Sequence, residues 1–220
     1  MKFSGIFFIL LMFVIFPSKG SDKAIEKNCK YDIDRCFNDL NSRENQQDKL
    51  SSVFLYLNNK ERLEKYEALS KETLDRLVSL GDRDAIILKG WLMISDSFYR
   101  KDPLGAKNLL KSQTWLYQDA DALELLAKIT FQEFKFSNNL QLLDETYELF
   151  EKSENLGSNE SKLNKNILLI TYGDLHMVQE GILGLKDMAS LGGKFSDRYH
   201  QYSKLAQERF PDEIEDLARE

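Results

Sequence analysis

The chain has 220 residues, 42% of them hydrophobic, which is sufficient for one domain of ordinary size or one short repeat array. Acidic residues number 36 and basic residues 30. A duplex nucleic acid partner requires a basic stripe, so we expect no nucleic acid partner. The same charge balance disfavours binding to an anionic membrane surface and favours a basic protein partner.

Residues 1–20 have the features of a secretory signal peptide. Lys2 provides a positive start, residues 6–16 form an unbroken apolar run, and Pro17 ends it. Eleven apolar residues are too few to span a bilayer, which takes about twenty. We expect cleavage before Ser21 and a periplasmic or secreted protein. The mature chain then carries 28 basic and 36 acidic residues, a net charge of −8, and we expect no stable membrane insertion.

The first feature after the signal is a pair of cysteines, Cys29 and Cys36. In an oxidising compartment an even pair is usually a disulfide, whereas a redox-active pair normally has CxxC spacing. Residues seven apart in a straight helix lie about 10 Å apart, and a disulfide tolerates at most about 7 Å between Cα atoms. The chain must therefore bend between them, with Asp32 or Asp34 capping a helix that begins there.

From residue 46 onward, apolar residues recur at intervals of three and four, and prolines occur only at positions 17, 103 and 211. This periodicity predicts an all-α protein. Residues 46–80 form one or two helices, and later breaks divide the chain into helix pairs. The expected pairs are 83–98 with 104–117, 120–134 with 140–156, and 160–172 with 178–191, followed by a capping helix at 195–209.

The helix pairs repeat. Leu80-Gly81, Leu156-Gly157 and Leu191-Gly192 each close an apolar stretch, and glycine suits the left-handed residue that ends a helix. Gln118 stands at the missing intermediate position. A small residue follows each closing turn, at positions 85, 122 and 161, where it allows a neighbouring helix to approach closely.

This pattern resembles the Sel1-like repeat, a relative of the tetratricopeptide repeat. The first unit carries Ala85, Gly90, Asp102, Ala106 and Leu110 in the order and spacing of that family. The second unit retains Ala122, Ala127 and Asp144, and the third retains Gly184, Ala189 and Gly192 but has Ser161 and Asn166 where small apolar residues are usual. An irregular helical bundle is the alternative.

The resemblance implies a short right-handed α-solenoid of antiparallel helix pairs. The expected organisation is a signal peptide at 1–20, an N-terminal segment with the disulfide at 21–60, repeats at 61–195, and a capping helix and tail at 196–220. Small exported proteins of this kind include immunity proteins that neutralise type VI secretion effectors such as phospholipases. The resemblance thus implies an immunity protein that binds a toxin, and an envelope scaffold or adaptor is the alternative.

The sequence contains no recognisable catalytic or metal-binding motif. The two histidines, His176 and His200, are 24 residues apart among ordinary helical residues, and acidic pairs such as Asp119 and Asp121 fit helix caps better than calcium ligands. We therefore predict a protein that is not an enzyme and takes no cofactor or metal. A hydrolase with an unrecognised site is a further alternative.

Binding energy at protein interfaces concentrates in a few aromatic anchors, so exposed aromatic residues on the first helix of each pair are the candidates. We expect Trp91 to be the main exposed anchor and Trp115 to belong to the core. The full set of predicted binding residues is Trp91, Phe98, Tyr99, Phe131 and Phe134.

Overall fold

The computed structural model describes residues 29, 32–95, 98–211 and 213–214, and within them it is helical with no β-strand. The predicted signal peptide at 1–20 and the end of the tail at 215–220 lie outside the described residues. The helices are α1 (Ile33–Ser42), α2 (Gln46–Asn58), α3 (Lys60–Leu63), α4 (Glu67–Ser79), α5 (Arg83–Ser95), α6 (Pro103–Lys111), α7 (Ala120–Ser137), α8 (Leu140–Asn155), α9 (Asn159–Tyr172), α10 (Leu175–Ala189) and α11 (Lys194–Arg209).

The predicted all-α class is therefore confirmed for the described residues. By their contacts, the residues up to Thr73 form one compact unit and those from Leu74 onward form a second. The division falls within α4, whereas the sequence placed the start of the repeats at residue 61. None of the described helices combines the length and apolar character needed to cross a membrane.

In the first unit, the two cysteines meet where α1 begins. Cys29 and Cys36 have their sulfur atoms at disulfide distance and their Cα atoms 5.4 Å apart. Asp32 caps α1 by accepting a hydrogen bond of 2.9 Å from the backbone N–H of Arg35. The helix therefore starts between the two cysteines, and Cys29 folds back from outside it, as the spacing predicted.

The rest of the first unit is held by α1 packing against α2 and by contacts to Tyr66. Phe37 is fully buried and its ring stacks on that of Tyr66, with centroids 4.3 Å apart. The amide oxygen of Asn41 accepts hydrogen bonds from Ser52 and Thr73, at 3.3 and 2.9 Å. Apolar stacking and a shared amide acceptor thus connect α1 to α2, to Tyr66 and to α4.

The second unit is built from three helix pairs and a final helix. Each pair consists of an A helix (α5, α7, α9) and a B helix (α6, α8, α10), and the two helices of each pair pack together. Further packing joins α5 to α7, α6 to α7, α8 to α9, and α11 to both α9 and α10. The hydroxyl of Ser153, near the end of α8, donates to the carbonyl of Ala120, where α7 begins, so these two helices are antiparallel.

The turns that end α4 and α8 repeat in atomic detail. Gly81 and Gly157 have positive φ values of 77° and 99°, which glycine adopts without steric cost. After each glycine, a backbone N–H reaches back to a carbonyl five residues earlier: Asp82 to Leu77 and Ser158 to Ser153, at 3.1 and 3.2 Å. This is the Schellman arrangement, which satisfies the last carbonyls of a helix.

The residue directly before or near the start of each A helix also caps that helix. Asp82, Asp119 and Ser158 accept hydrogen bonds from the backbone N–H groups of Ala85, Ala122 and Ser161, at 2.9, 3.0 and 3.1 Å. The three capped residues are fully buried, which fits the prediction that small side chains allow close packing at positions 85, 122 and 161. The repeat seen in the sequence is thus a repeated turn and cap.

Two predicted boundaries in the first pair were wrong. Helix α5 ends at Ser95 instead of 98, and α6 ends at Lys111 instead of 117. After α6 the backbone tightens, because Gln113 N–H bonds to Leu110 three residues back and the Gln113 side chain donates to the Leu109 carbonyl. A short 3₁₀ turn, Leu116–Gln118, follows. The start of α6 agrees with prediction, with Asp102 as its cap and Pro103 in its first turn.

Candidate functional site

The structure corrects the expectation that Trp91 is an exposed anchor. Only 8% of its surface is accessible, and the ammonium group of Lys128 lies 4.5 Å from the centre of its ring. Trp115 is half-buried, with the Arg83 guanidinium 5.2 Å from its ring. Trp91 is therefore a core residue, because α5 is apolar on nearly every face. Trp115 is less buried than expected, because it follows the early end of α6.

Phe98 and Tyr99 come together just after α5, with their rings in an edge-to-face contact at 5.3 Å. Phe98 is buried, which also differs from the prediction, and Tyr99 is half-buried. Tyr99 lines an open pocket of about 480 Å³ whose lining includes three cationic side chains. The pocket-lining residues are Lys89, Met93, Tyr99, Arg100, Lys101 and Asp102.

The hydroxyl of Tyr99 is fixed by the carboxylate of Asp75. It donates a hydrogen bond of 2.9 Å to Asp75, which also forms an ion pair with Lys89 at 2.7 Å. Burial, followed by the hydrogen bond and the negative charge of Asp75, raises the pKa of Tyr99 above its usual value. Tyr99 therefore acts as a neutral hydrogen-bond donor at physiological pH and is poorly suited to be a base.

Phe131 and Phe134 lie together near the end of α7, with ring centroids 5.9 Å apart. Both rings also contact Tyr172 at the end of α9 edge-to-face, at 5.9 and 5.3 Å. Phe134 is buried, in contrast to the prediction, whereas Phe131 is half-buried and Tyr172 is 43% exposed. Phe134 thus anchors the cluster, and its two neighbours reach the surface.

The most exposed aromatic side chain among the described residues is Phe136, with 84% of its surface accessible. It lies in the last turn of α7, just before Asn138, whose φ of 53° reverses the chain toward α8. The predicted binding residues did not include it, because it lies two residues after Phe134 and five after Phe131, spacings that do not place side chains on one helix face. We call Phe131, Phe136 and Tyr172 the aromatic edge, since all three lie at or near the ends of A helices.

A buried polar network lies farther back on α7. The carboxylate of Glu124 forms an ion pair with Lys128 at 2.6 Å and accepts hydrogen bonds from Ser158 and Ser161 at 2.9 and 3.5 Å. Ser161 also donates to Ser153, on α8, at 2.7 Å. The network joins α7, α8 and α9. Ser161 therefore has a structural role as a hydrogen-bonding side chain in this network.

The arrangement provides surfaces for contact and hydrogen bonding. The described residues contain no group of three or more His, Cys, Asp and Glu side chains placed to hold a metal ion. His176 and His200 are both exposed, and His200 has the ring of its neighbour Tyr199 beside it, at 5.6 Å. The raised pKa of Tyr99 favours the neutral phenol.

Comparisons with protein-family models, with curated proteins and with solved structures found no match to this chain. The repeated turns and caps are features of the structure. The assignment to the Sel1-like family stays a prediction that depends on the residues quoted for it.

Proposed function

We propose that this chain is an exported, Sel1-like helical repeat protein that binds another protein and has no catalytic activity of its own. In this proposal, residues 1–20 are removed on export and the three helix pairs form a short right-handed solenoid. From α5 to α11 each helix packs on the next, and α5 also packs on α7 and α9 on α11, which supports a solenoid over a closed bundle.

The observation that carries the proposal is the aromatic edge. Phe136 is 84% exposed and Phe131 and Tyr172 are partly exposed, so aromatic surface at the ends of α7 and α9 is in contact with water. Aromatic residues are enriched among the few side chains that dominate protein interfaces. Phe134 holds Phe131 and Tyr172 in place from beneath, so these two anchors are preorganised and lose little freedom on binding.

A toxin effector is the first candidate partner. The resemblance to immunity proteins suggests it, and a stoichiometric inhibitor needs only a binding surface. An envelope scaffold or adaptor is the second candidate, and it would use the same surface. The two uses differ in phenotype: deleting an immunity gene sensitises the cell to one neighbouring toxin, whereas deleting a scaffold gene impairs an assembly without any toxin.

The test is affinity capture with mature protein, residues 21–220, from the envelope of its own host and from strains that express the neighbouring genes. We expect one protein to be captured by the wild type and lost with Phe136→Ser. Removing an interface anchor costs about 2 kcal/mol or more, roughly a thirtyfold loss of affinity. Because Phe136 is exposed, the variant should melt at the wild-type temperature.

The matched control is Leu183→Ser on α10, which removes a 49% exposed apolar side chain away from the turns between helices. It should leave capture unchanged. Failure to capture any protein, or equal capture by the wild type and Phe136→Ser, would count against binding through the aromatic edge.

A further inference from the structure

The end of α9, which carries Tyr172 into the aromatic edge, is held by a side chain from the last helix. Arg209 is the final residue of α11. Its guanidinium group donates one hydrogen bond to the carbonyl oxygen of Ile170 and a second, of 2.8 Å, to that of Gly173. Tyr172 lies between these two acceptors in the chain, so Arg209 fixes the backbone on both sides of it.

This closure of a helix differs from the closures after α4 and α8. The last carbonyl groups of any helix need hydrogen-bond donors from outside the helix. At Gly81 and Gly157 the backbone supplies them through a left-handed turn. Gly173 instead has a φ of −73° and a ψ of 166°, an extended conformation. Here two of the donors come from Arg209, 36 and 39 residues away in sequence.

An arginine suits this position for two physical reasons. Its planar guanidinium group presents several donors in a fixed geometry, so that one side chain can bond to two carbonyl groups at once. Its positive charge also lies at the C-terminal end of α9, where the helix dipole favours a cation.

The ring of Tyr172 depends on the position of this helix end. It contacts the rings of Phe131 and Phe134 edge-to-face, with centroids 5.9 and 5.3 Å away. A second residue of α11, Tyr202, also lies near it: burial raises the pKa of Tyr172, and the nearby Tyr202 phenol raises it further. The last helix therefore supports Tyr172 on the side away from α7.

The attachment of α11 itself does not depend on Arg209. Ala206 is fully buried in the core cluster that α11 shares with α9 and α10, and Tyr199, Leu205 and Phe210 pack against the same cluster. The Arg209 side chain is exposed and its guanidinium lies 5.2 Å from the neighbouring Phe210 ring. A substitution at Arg209 should thus loosen the end of α9 and leave α11 in place.

We propose that Arg209 is a positioning residue of the aromatic edge, holding the end of α9 so that the ring of Tyr172 stays against Phe131 and Phe134 and is ordered before the partner arrives. This inference rests on the proposed function, because it concerns the same surface. It gives the helix predicted as a cap a second role. The binding surface on the repeats is completed by a residue that follows them.

The test compares Arg209→Gln with the matched control Arg198→Gln. Arg198 lies on the same helix, but its guanidinium bonds to Gln201 within α11. Two measurements on the mature chain need no partner: the NMR signals of the Tyr172 ring, assigned by their loss in Tyr172→Phe, and hydrogen exchange of the backbone amides at 171–173.

We expect Arg209→Gln to move the Tyr172 ring signals toward those of an unpacked tyrosine, because the ring leaves the magnetic field of two phenylalanine rings. Exchange at 171–173 should become about tenfold faster or more, since two charge-assisted hydrogen bonds at the helix end are lost. The ring signals of Phe136, on α7, should not move. Arg198→Gln should match the wild type in all three.

The role in binding is measured by capture from the same envelope extract, beside Phe136→Ser. Arg209→Gln should weaken capture about fivefold or more, because Tyr172 must then be ordered during binding, whereas Arg198→Gln should capture normally. Both should melt near the wild-type temperature. If Arg209→Gln melts lower, Arg209→Lys provides a second reading: it keeps the charge, can donate to one carbonyl, and should accelerate exchange less, at the same amides.

Unchanged ring signals and unchanged exchange at 171–173 in Arg209→Gln would overturn this inference whether or not a partner is captured. Normal capture by Arg209→Gln, with capture lost in Phe136→Ser, would also overturn it and leave the proposed function standing. Normal capture by both variants would show that the aromatic edge is not the binding surface, and both proposals would fail.

Discussion

The buried pair formed by Glu124 and Lys128 should make a larger contribution to stability than an equally spaced pair at the surface. The perturbation is Glu124→Gln, which retains the shape of the side chain and removes its charge. The Glu124 and Lys128 side chains are only 9% and 14% exposed, and their charged atoms are 2.6 Å apart. The substitution leaves the Lys128 ammonium near the interior without its carboxylate partner.

Removing one member of a buried ion pair costs about 3–5 kcal/mol when the other charge has no alternative partner. Lys128 keeps its contact with the Trp91 ring, and a cation over an aromatic face contributes about 0.5–2 kcal/mol. The hydroxyls of Ser158 and Ser161 can still donate to the amide oxygen of glutamine. We therefore expect a loss of about 2–3 kcal/mol in the free energy of unfolding.

The chain provides a matched control in Glu148→Gln. Glu148 and Lys152 have the same spacing of four residues on α8, but their side chains are 65% and 53% exposed. Exposed pairs of this kind contribute about 0.3–0.5 kcal/mol. Urea unfolding followed by tryptophan fluorescence suits the comparison, because Trp91 and Trp115 both lie in the second unit. Equal losses for the two variants, or losses abolished alike in 1 M salt, would refute the argument that burial matters.

Three further outcomes follow from the same structure. Trp91→Ala should lower the free energy of unfolding by about 3–5 kcal/mol in urea titrations, because it empties a buried site. Tyr99→Phe should remove one phenol that ionises at unusually high pH from an absorbance titration. Because the pKa of Tyr99 is raised in the folded protein, the stability that its phenol contributes is complete below about pH 10 and is lost as the pH rises further. Cys36→Ser should leave one free thiol and cost about 2–3 kcal/mol in thermal unfolding.

Helices, turns and caps were largely predictable because their signals are local. Leu-Gly before an acidic or hydroxyl cap indicates a closing turn and a new helix within five residues, and the structure has that geometry at Gly81 and Gly157. Asp102-Pro103 marked the start of α6 for the same reason. Where several weak local preferences competed, as at Gln113, the predicted end of the helix was wrong.

Exposure was harder to predict because it depends on which helices pack together. Trp91 and Phe136 both lie on A helices, yet the first is buried beneath Lys128 and the second lies at the end of α7. Periodicity within one helix marks an apolar face but not whether another helix covers it. The Glu124 network escaped notice for a related reason, since its serine partners Ser158 and Ser161 are 34 and 37 residues away in sequence.

The central claim is that the aromatic edge binds a protein, and hydrogen exchange on the mature chain with its captured partner tests it most directly. Binding there should slow exchange of the backbone amides at residues 134–140 and at 171–175, which cover the end of α7, the end of α9 and the turns that follow them. Amides on the outer face of α10, around Leu183, should exchange at the same rate with and without the partner. Protection confined to other segments, with residues 134–140 unchanged, would contradict the claim.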